Sequence, residues 1–280
     1  YAASYGYNWD TNSLTPYVLY GTYRQLWYDD TNSLARKYDF ANSKNLAGIG
    51  IWALNYDEGN PDLWNLLADK FAGDADWEIQ DPGTTVNFYG VGAKASSFAA
   101  VGAGGAISTS SDGALSWTSR VSGTTSLLLN FASGSGLWVA VGDGGTIVTS
   151  VGGATWTVQT TPTNAMLRGV AYGNDVFVAA GAAGTILRST DGSNWVKQVS
   201  GTTENIQGVN YLNGLFIATG ENSVLLTSSD GASWTSRTSN AGGWLLDSAY
   251  GNGTYVAVGI GARVVTSPDA TTWTRRTNDL

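Results

Sequence analysis

The sequence predicts a mainly β protein, a β-propeller of about five four-stranded blades behind a shorter segment of α/β order, and three observations predict it. Trp117, Trp156, Trp195, Trp234 and Trp273 stand 39 residues apart each time. A second phrase, an aromatic, a short apolar run and a glycine, precedes each tryptophan in register: Phe98 to Gly102, Trp138 to Gly142, Phe177 to Gly181, Phe216 to Gly220 and Tyr255 to Gly259. The first 73 residues carry neither phrase.

Within one unit, Leu167 to Ser200, short apolar runs are separated by Gly-Asn, Ala-Gly and Asp-Gly, which are hairpin signals and not helix caps. Four antiparallel strands follow, at 167–172, 176–181, 184–189 and 194–199. Four strands in a repeat of about 40 residues describe a propeller blade, because one blade cannot bury both faces and must stack on neighbours. Ala100, Ala140, Ala179, Ala218 and Ala257 share one position on the second strand, where a small side chain permits close approach near a crowded axis. Trp77 lies 40 residues before Trp117, so the fourth-strand element is present six times and the other three strands five times. Five blades with a lead-in or closing strand at 76–81 are expected; the alternative is part of a larger ring.

Ser111-Asp112-Gly113 before Trp117 and Ser189-Thr190-Asp191-Gly192 before Trp195 are versions of one turn, repeated with Asp230-Gly231 and Asp269-Ala270; Gly152 replaces the aspartate before Trp156. The phrase resembles the Asp-box of bacterial neuraminidase repeats, and the unit is similar to propellers built from them, photosystem assembly factors included. The resemblance implies a structural hairpin between third and fourth strands. The chemistry agrees: aspartate accepts hydrogen bonds from its own turn, glycine takes the positive φ, and the indole packs between blades. The other reading makes the five indoles a ring of sugar platforms, but strict periodicity beside a turn favours core. The hairpins with Gly152 and Ala270 are expected to be looser.

Before residue 73 the order changes. Leu34, Tyr38 and Ala41 have helical spacing behind a cap at Thr31 or Asn32. Residues 47–54 form a continuous apolar run suited to a strand buried on both faces, and Pro61 opens a second helix to Phe71 with Leu63, Leu66, Leu67 and Phe71 buried. Trp27-Tyr28-Asp29-Asp30, Ser33-Leu34 with Lys37, Leu46 to Leu54, and Pro61-Asp62-Leu63-Trp64 together resemble the last quarter of a glycoside hydrolase family 18 barrel, the chitinase-like enzymes, over residues 9–72. The resemblance implies that 1–73 is a partial (β/α)8-barrel segment holding the last two β/α units, with strand seven at 25–30 and strand eight at 47–54. It makes Trp52 the floor beneath the sugar at the cleavage point, at the C-terminal end of a strand where barrels keep their sites. Asp29 and Asp30 read instead as charges before a helix N-terminus, and Asp57 and Glu58 as loop residues.

The family's Asp-x-x-Asp-x-Asp-x-Glu motif, which carries its general acid, occurs nowhere in the 280 residues. Without that acid nothing protonates the leaving oxygen, so this chain alone is not expected to hydrolyse chitin. The chain has no cysteine and no histidine and a formal net charge of −8, which excludes Cys/His metal sites and imidazole bases and argues against nucleic acid. No cofactor and no membrane insertion are expected. The resemblance implies that the segment 1–73 begins in mid-barrel, and 74–280 is expected to be the propeller. The leading expectation is the C-terminal part of a secreted chitinase-like hydrolase whose propeller binds a chitin-like polysaccharide or another protein chain. The alternative is a non-catalytic scaffold or adhesion protein of a larger extracellular assembly. A sialidase lacks its arginine triad here, since Arg120, Arg237 and Arg276 follow the repeat tryptophans at one spacing. For binding by the propeller, Trp244 stands out as an aromatic with no counterpart in the other repeats.

Overall fold

The computed structural model describes residues 8–11, 15–20, 24–27, 30–43, 65–67, 69–70, 80–82, 84–94 and 96–276. They belong to two compact units, Tyr1–Ile79 with Asp279–Leu280, and Gln80–Asn278.

In the first unit β1 (Asn8–Asp10), β2 (Thr15–Tyr20) and β3 (Arg24–Trp27) form an antiparallel sheet in that order. The helix expected next is α1 (Thr31–Ser43), and it buries Ser33, Tyr38 and Ala41. Its cap is Asp30, not Thr31 or Asn32. The Ser33 N–H donates to Asp30 Oδ1 at 2.8 Å while the Asp30 N–H donates to Ser33 Oγ at 2.9 Å. This reciprocal pair satisfies two amides that a helix start leaves orphaned, and it turns Ser33 inward where Leu34 was expected. Residues 65–67 and 69–70 of the second expected helix are helical, with Leu67 buried. Lys70 Nζ lies 2.7 Å from Asp39 of α1. The strand expected at 25–30 corresponds to β3, whose partner β2 runs antiparallel to it. Residues 47–54 and Trp52 lie outside the described residues.

The second unit is five antiparallel sheets in strict chain order. Blade 1 holds β4 (Phe88–Lys94), β5 (Ser97–Gly102), β6 (Ile107–Ser110) and β7 (Thr118–Arg120). Blade 2 holds β8 (Leu128–Gly134), β9 (Leu137–Gly142), β10 (Ile147–Ser150) and β11 (Thr157–Gln159). Blade 3 holds β12 (Leu167–Gly173), β13 (Val176–Gly181), β14 (Ile186–Ser189) and β15 (Val196–Gln198). Blade 4 holds β16 (Ile206–Leu212), β17 (Leu215–Gly220), β18 (Leu225–Ser228) and β19 (Thr235–Ser236); blade 5 holds β20 (Leu245–Gly251), β21 (Thr254–Gly259), β22 (Arg263–Ser267) and β23 (Thr274–Arg276). The first two strands of blades 2 to 5 join through two-residue turns with both φ angles positive, as at Asn213 (45°) and Gly214 (85°). That is the hairpin geometry whose twist matches the strands. Residues 80–82 form no strand, although the Pro82 carbonyl accepts a hydrogen bond from Ser108 Oγ at 2.7 Å.

Successive blades meet through one template. The outgoing face of a blade, such as Val176, Val178, Ala180 and Ile186, packs on the incoming face of the next, Val209, Phe216, Ala218 and Leu226 with Tyr211 and Trp234. The same arrangement recurs at the other three junctions. The shared alanine therefore belongs to this interface, with Ala140, Ala179, Ala218 and Ala257 all fully buried. Close approach between first strands comes instead from glycine. A Cβ on Gly169 would stand 2.9 Å from the Val209 nitrogen, and one on Gly208 would stand 2.6 Å from the Leu246 carbonyl oxygen.

First strands pack pairwise, β4 on β8, β8 on β12, β12 on β16 and β16 on β20, and no such packing joins β20 to β4 among the described residues. Among the described residues the five blades form an open arc without the expected five-bladed closure, and 76–79 of the expected closing strand lie outside them. Burial at matching positions shows the two open ends. Val91 on the incoming face of blade 1 is 66% exposed, against 4–7% for Phe131, Val170 and Val209. Val258 on the outgoing face of blade 5 is 43% exposed, where Val101, Val141, Ala180 and Thr219 are fully buried.

The final glycine of the first strand reports the same asymmetry. A Cβ on Gly173 would lie 2.0 Å from the Tyr211 ring of the next blade, whereas one on Gly251 would meet nothing within 4 Å. Gly173→Ala is expected to cost ~1–3 kcal/mol through overpacking, and Gly251→Ala to stay within about 0.5 kcal/mol of the parent. Urea unfolding of the two variants checks this, and an equal loss at both positions would mean that blade 5 is covered.

Candidate functional site

The periodic tryptophans resolve first. At the third box, Asp191 Oδ1 accepts the amides of Ser193 at 2.9 Å and Asn194 at 2.8 Å, and Ser189 Oγ accepts the Gly192 amide at 2.8 Å. Trp195 Nε1 then donates to the Gly192 carbonyl at 2.9 Å. The same indole bond ties Trp156 to Gly153, Trp234 to Gly231 and Trp273 to Ala270. Trp156, Trp195 and Trp273 are 3–6% exposed and stack at an angle on the aromatics of their second strands at ring-centroid distances of 6.2–6.5 Å. They are core, with their polar edge already committed, and cannot serve as sugar platforms.

The two irregular boxes keep this turn. Where Gly152 replaces aspartate, the Ser150 hydroxyl still accepts the Gly153 amide at 2.8 Å. Ala270 takes φ +59° in place of glycine, a left-handed conformation that costs an L-residue roughly 1–2 kcal/mol. Arg120, Arg237 and Arg276 each donate Nε to the threonine of the adjacent third strand in their own blade, Thr109, Thr227 and Thr266, at 2.7–2.9 Å. They hold hairpins and do not converge on a carboxylate.

The box aspartates, exposed except for the half-buried Asp230, ionise easily. The Ser116 hydroxyl leads in lowering Asp112 to about 2, and the backbone amides of Asn194, Ser233 and Thr272 lead in holding Asp191, Asp230 and Asp269 below the usual carboxylate range. A carboxylate with a depressed folded pKa contributes stability above its unfolded pKa of about 3.9 and loses it as pH falls through the folded value.

Positions that escape the repeat's packing are better candidates for binding. Every blade carries a register shift between the first and third residues of its first strand. The residue inside the shift varies freely: Tyr89, Leu129, Arg168, Gln207 and Leu246. A bulge re-aims a side chain out of the regular pleat. Blades 3 and 4 gather polar groups here. Glu221 Oε1 accepts Gln207 Nε2 at 2.9 Å and Asn205 Nδ2 at 3.0 Å, and Glu204 accepts from Asn222 at 2.8 Å. The Arg168 Nε is buried with no hydrogen-bond partner among the described residues, a donor that such a surface normally satisfies.

Trp244 adjoins this strip and is 40% exposed. The residue before it, Gly243, is held from both sides: Ser223 N donates to the Gly243 carbonyl at 2.8 Å, and Gly243 N donates to Ser223 Oγ at 3.0 Å. Glu221 and Ser223 belong to one 3-10 turn of blade 4, so that turn links the carboxylate network to the indole. An exposed aromatic plane beside amide and carboxylate groups is chemistry suited to a sugar or a polar peptide. Sequence reasoning singled out Trp244, which is exposed, and did not single out Arg168 or Gln207. Variation at one fixed register position was the available signal. An open recess of about 670 Å³ elsewhere, beside Gly104–Ala106 and Arg120–Thr125, holds one charged side chain, Arg120, and no catalytic pair. No group of three or more metal-ligating side chains occurs among the described residues, and no helix there is long and apolar enough to cross a membrane.

Fold and site together define a protein with a β-propeller arc, and comparison with known proteins agrees. The chain aligns with YCF48 bound to D1 peptide at a TM-score of 0.57 and 18% identity, covering 71% of this chain and 70% of that one. It aligns with the computationally designed Ika8 protein at 0.57 and 11%, covering 69% and 62%, and with the WD40 β-propeller domain of Doa1 at 0.52 and 12%, covering 65% and 64%. About a third of each of those chains is left unmatched. At the N-terminal end, residues 1–57 match the model of glycosyl hydrolases family 18. Over 65 residues the chain is 37% identical to a probable di-N-acetylchitobiase 1 of Dictyostelium discoideum, covering 21% of this chain and 16% of that protein. Over 95 residues it is 35% identical to chitinase B of Serratia marcescens, covering 32% and 19%. The chain spans less than a fifth of either relative.

Two outcomes are expected from the turn chemistry. Trp195→Ala should cost ~3–5 kcal/mol in urea unfolding, because it empties an inter-blade site. The urea midpoint should fall as pH drops from about 4 towards 2, and less steeply in the triple variant Asp191→Asn, Asp230→Asn, Asp269→Asn; identical slopes would remove the turns from the acid response.

Proposed function

We propose that this chain is the C-terminal part of a secreted, multi-domain chitinase-like glycoside hydrolase, with a propeller that binds carbohydrate or a partner chain. The observation that carries the reading is the family 18 match over residues 1–57, joined in one chain to a propeller arc. On this reading residues 1–73 are the closing segment of a (β/α)8 barrel, residues 74–280 are the propeller of neuraminidase-type repeats, and Trp52 is the aromatic floor of the sugar site. The complete Asp-x-x-Asp-x-Asp-x-Glu motif of that family is absent from the 280 residues, Phe71 standing where the first aspartate before Asp74, Asp76 and Glu78 would be, so on this reading the chain alone binds and presents without cleaving. The same absence supports a second reading, a non-catalytic scaffold or adhesion protein of an extracellular assembly.

On the propeller the ligand is a chitin-like N-acetylglucosamine polymer, stacked on Trp244 and hydrogen-bonded by the Glu221 and Gln207 strip. Isothermal titration of the full chain with chito-oligosaccharides tests this. Trp244→Ala should weaken binding by roughly tenfold, about 1.4 kcal/mol, while the melting temperature moves by only a few degrees. Trp52→Ala should lower affinity additively if the barrel segment contributes a second subsite. Unchanged affinity in both variants would sink the carbohydrate reading, and an unfolded Trp244→Ala protein would make that residue core.

A further inference from the structure

The outgoing face of blade 5 is a built interface that no described residue covers. In each of the four internal junctions the outgoing side of one blade is apolar at matching positions of its second and third strands, and the next blade's aromatic, alanine and tryptophan close over it. Blade 5 keeps the apolar residues. Val256, Val258 and Val264 stand where blade 4 has Ile217, Thr219 and Leu225, all three fully buried. Val258 is 43% exposed, and Ile260 beside it is 52% exposed. Blade 5 also has a glycine at the position where blades 2 and 3 leave room for the blade that follows, although blades 1 and 4 have Lys94 and Leu212 there. Gly134 and Gly173 leave the space filled by Tyr172 and Tyr211 of the next blade, each ring within 2.0 Å of where a Cβ would stand. Gly251 holds the same register position and faces open space. Three apolar side chains and a glycine are maintained for contacts that the arc does not make.

From this we infer that the blade 5 face docks a further blade of the same repeat class, the first of the two or three needed to close the ring. The occupant follows from the established junctions: an incoming face with an aromatic and an alanine on its second strand, a leucine or valine on its third, and a tyrosine at the end of its first. A tandem blade fits the gap better than a second copy of this chain does. The third of each aligned propeller left unmatched corresponds to about two or three blades, and a second copy would bring five. The incoming face of blade 1, which a head-to-tail copy would have to use, is partly taken by the chain itself, since Pro82 accepts the hydrogen bond of Ser108 there. An apolar face exposed at these positions also favours coverage on general grounds, because contiguous apolar surface on a monomer marks an interaction site.

The absence of cysteine from the 280 residues gives a direct assay. Val258→Cys is placed in the full chain, and Thr219→Cys serves as the buried reference. Each is labelled with a maleimide in the chain alone and in a chain extended, in repeat register after Thr277, by a copy of the two-blade segment Thr161–Thr238. In the chain alone Val258→Cys should react at least about tenfold faster than Thr219→Cys. The extension should slow it to the rate of the reference. An extension whose copy carries Val170→Asp and Phe177→Asp, on its own docking face, should leave labelling fast. Equal labelling with and without the intact extension would overturn the inference. So would slow labelling of Val258→Cys in the unextended chain, with sedimentation then assigning the cover to a second copy if the chain is dimeric.

Discussion

The second unit rests on one contact made four times: an apolar outgoing face closed by an aromatic, an alanine and an indole from the next blade. The indole is what makes the contact directional. Burying its roughly 150–250 Å² contributes about 4–6 kcal/mol of gross transfer free energy, but its N–H would be stranded in the interface without an acceptor. The carbonyl at the turn three residues earlier supplies one, at 2.9–3.1 Å in blades 2 to 5. That carbonyl is presented only when the turn takes a positive φ, and the turn is held by aspartate and serine. A blade's outer hairpin and its packing on its neighbour are therefore a single device. Ala270 tolerates backbone strain in it, which indicates how much the surrounding junction contributes at blade 5.

This device consumes the chemistry that the repeat advertises at first sight. Five tryptophans, four aspartates and three arginines in register look like a binding or catalytic array, yet four of the indoles, the aspartates and the arginines are occupied within their own blades. What is left for recognition is the residue released by the bulge in each first strand, together with the 3-10 turns beside it. Arg168, Gln207, Glu221 and Trp244 differ from their counterparts because the packing does not constrain them. The strip lies in blades 3 to 5, where the Ala183 amide donates to Asn205 across one junction and Ser223 bonds Gly243 across the next.

The tryptophan register, the four-strand unit and the turn residues were legible in the sequence because each is a local pattern that packing forces to recur. The helix at Leu34, Tyr38 and Ala41 was legible for the same reason, although its cap shifted to Asp30, since an aspartate and a serine three apart can satisfy each other's amides. The bulge was not legible, because an extra residue in a first strand leaves no trace in hydrophobic alternation when its identity is free. Nor was the open arc. Val256 and Val258 read like Ile217 and the other internal residues, and whether a ring closes depends on the curvature accumulated over blades, which no single repeat encodes. Trp52 was singled out by family resemblance and lies outside the described residues.

An arc in which each blade touches only its neighbours behaves as a short one-dimensional chain of coupled units. Blade 3 has a junction on both sides and one more beyond each, while blade 5 is held from one side only. Ring closure would have removed that distinction by giving every blade two neighbours. Its absence orders the blades in local stability, so that opening fluctuations begin at β20–β23 and travel inward, and amide protection should be graded along the polypeptide and greatest near its middle. The Trp244 strip straddles the junction between blades 4 and 5, at the soft end of that gradient, where a ligand bridging the two blades would hold the last one in place.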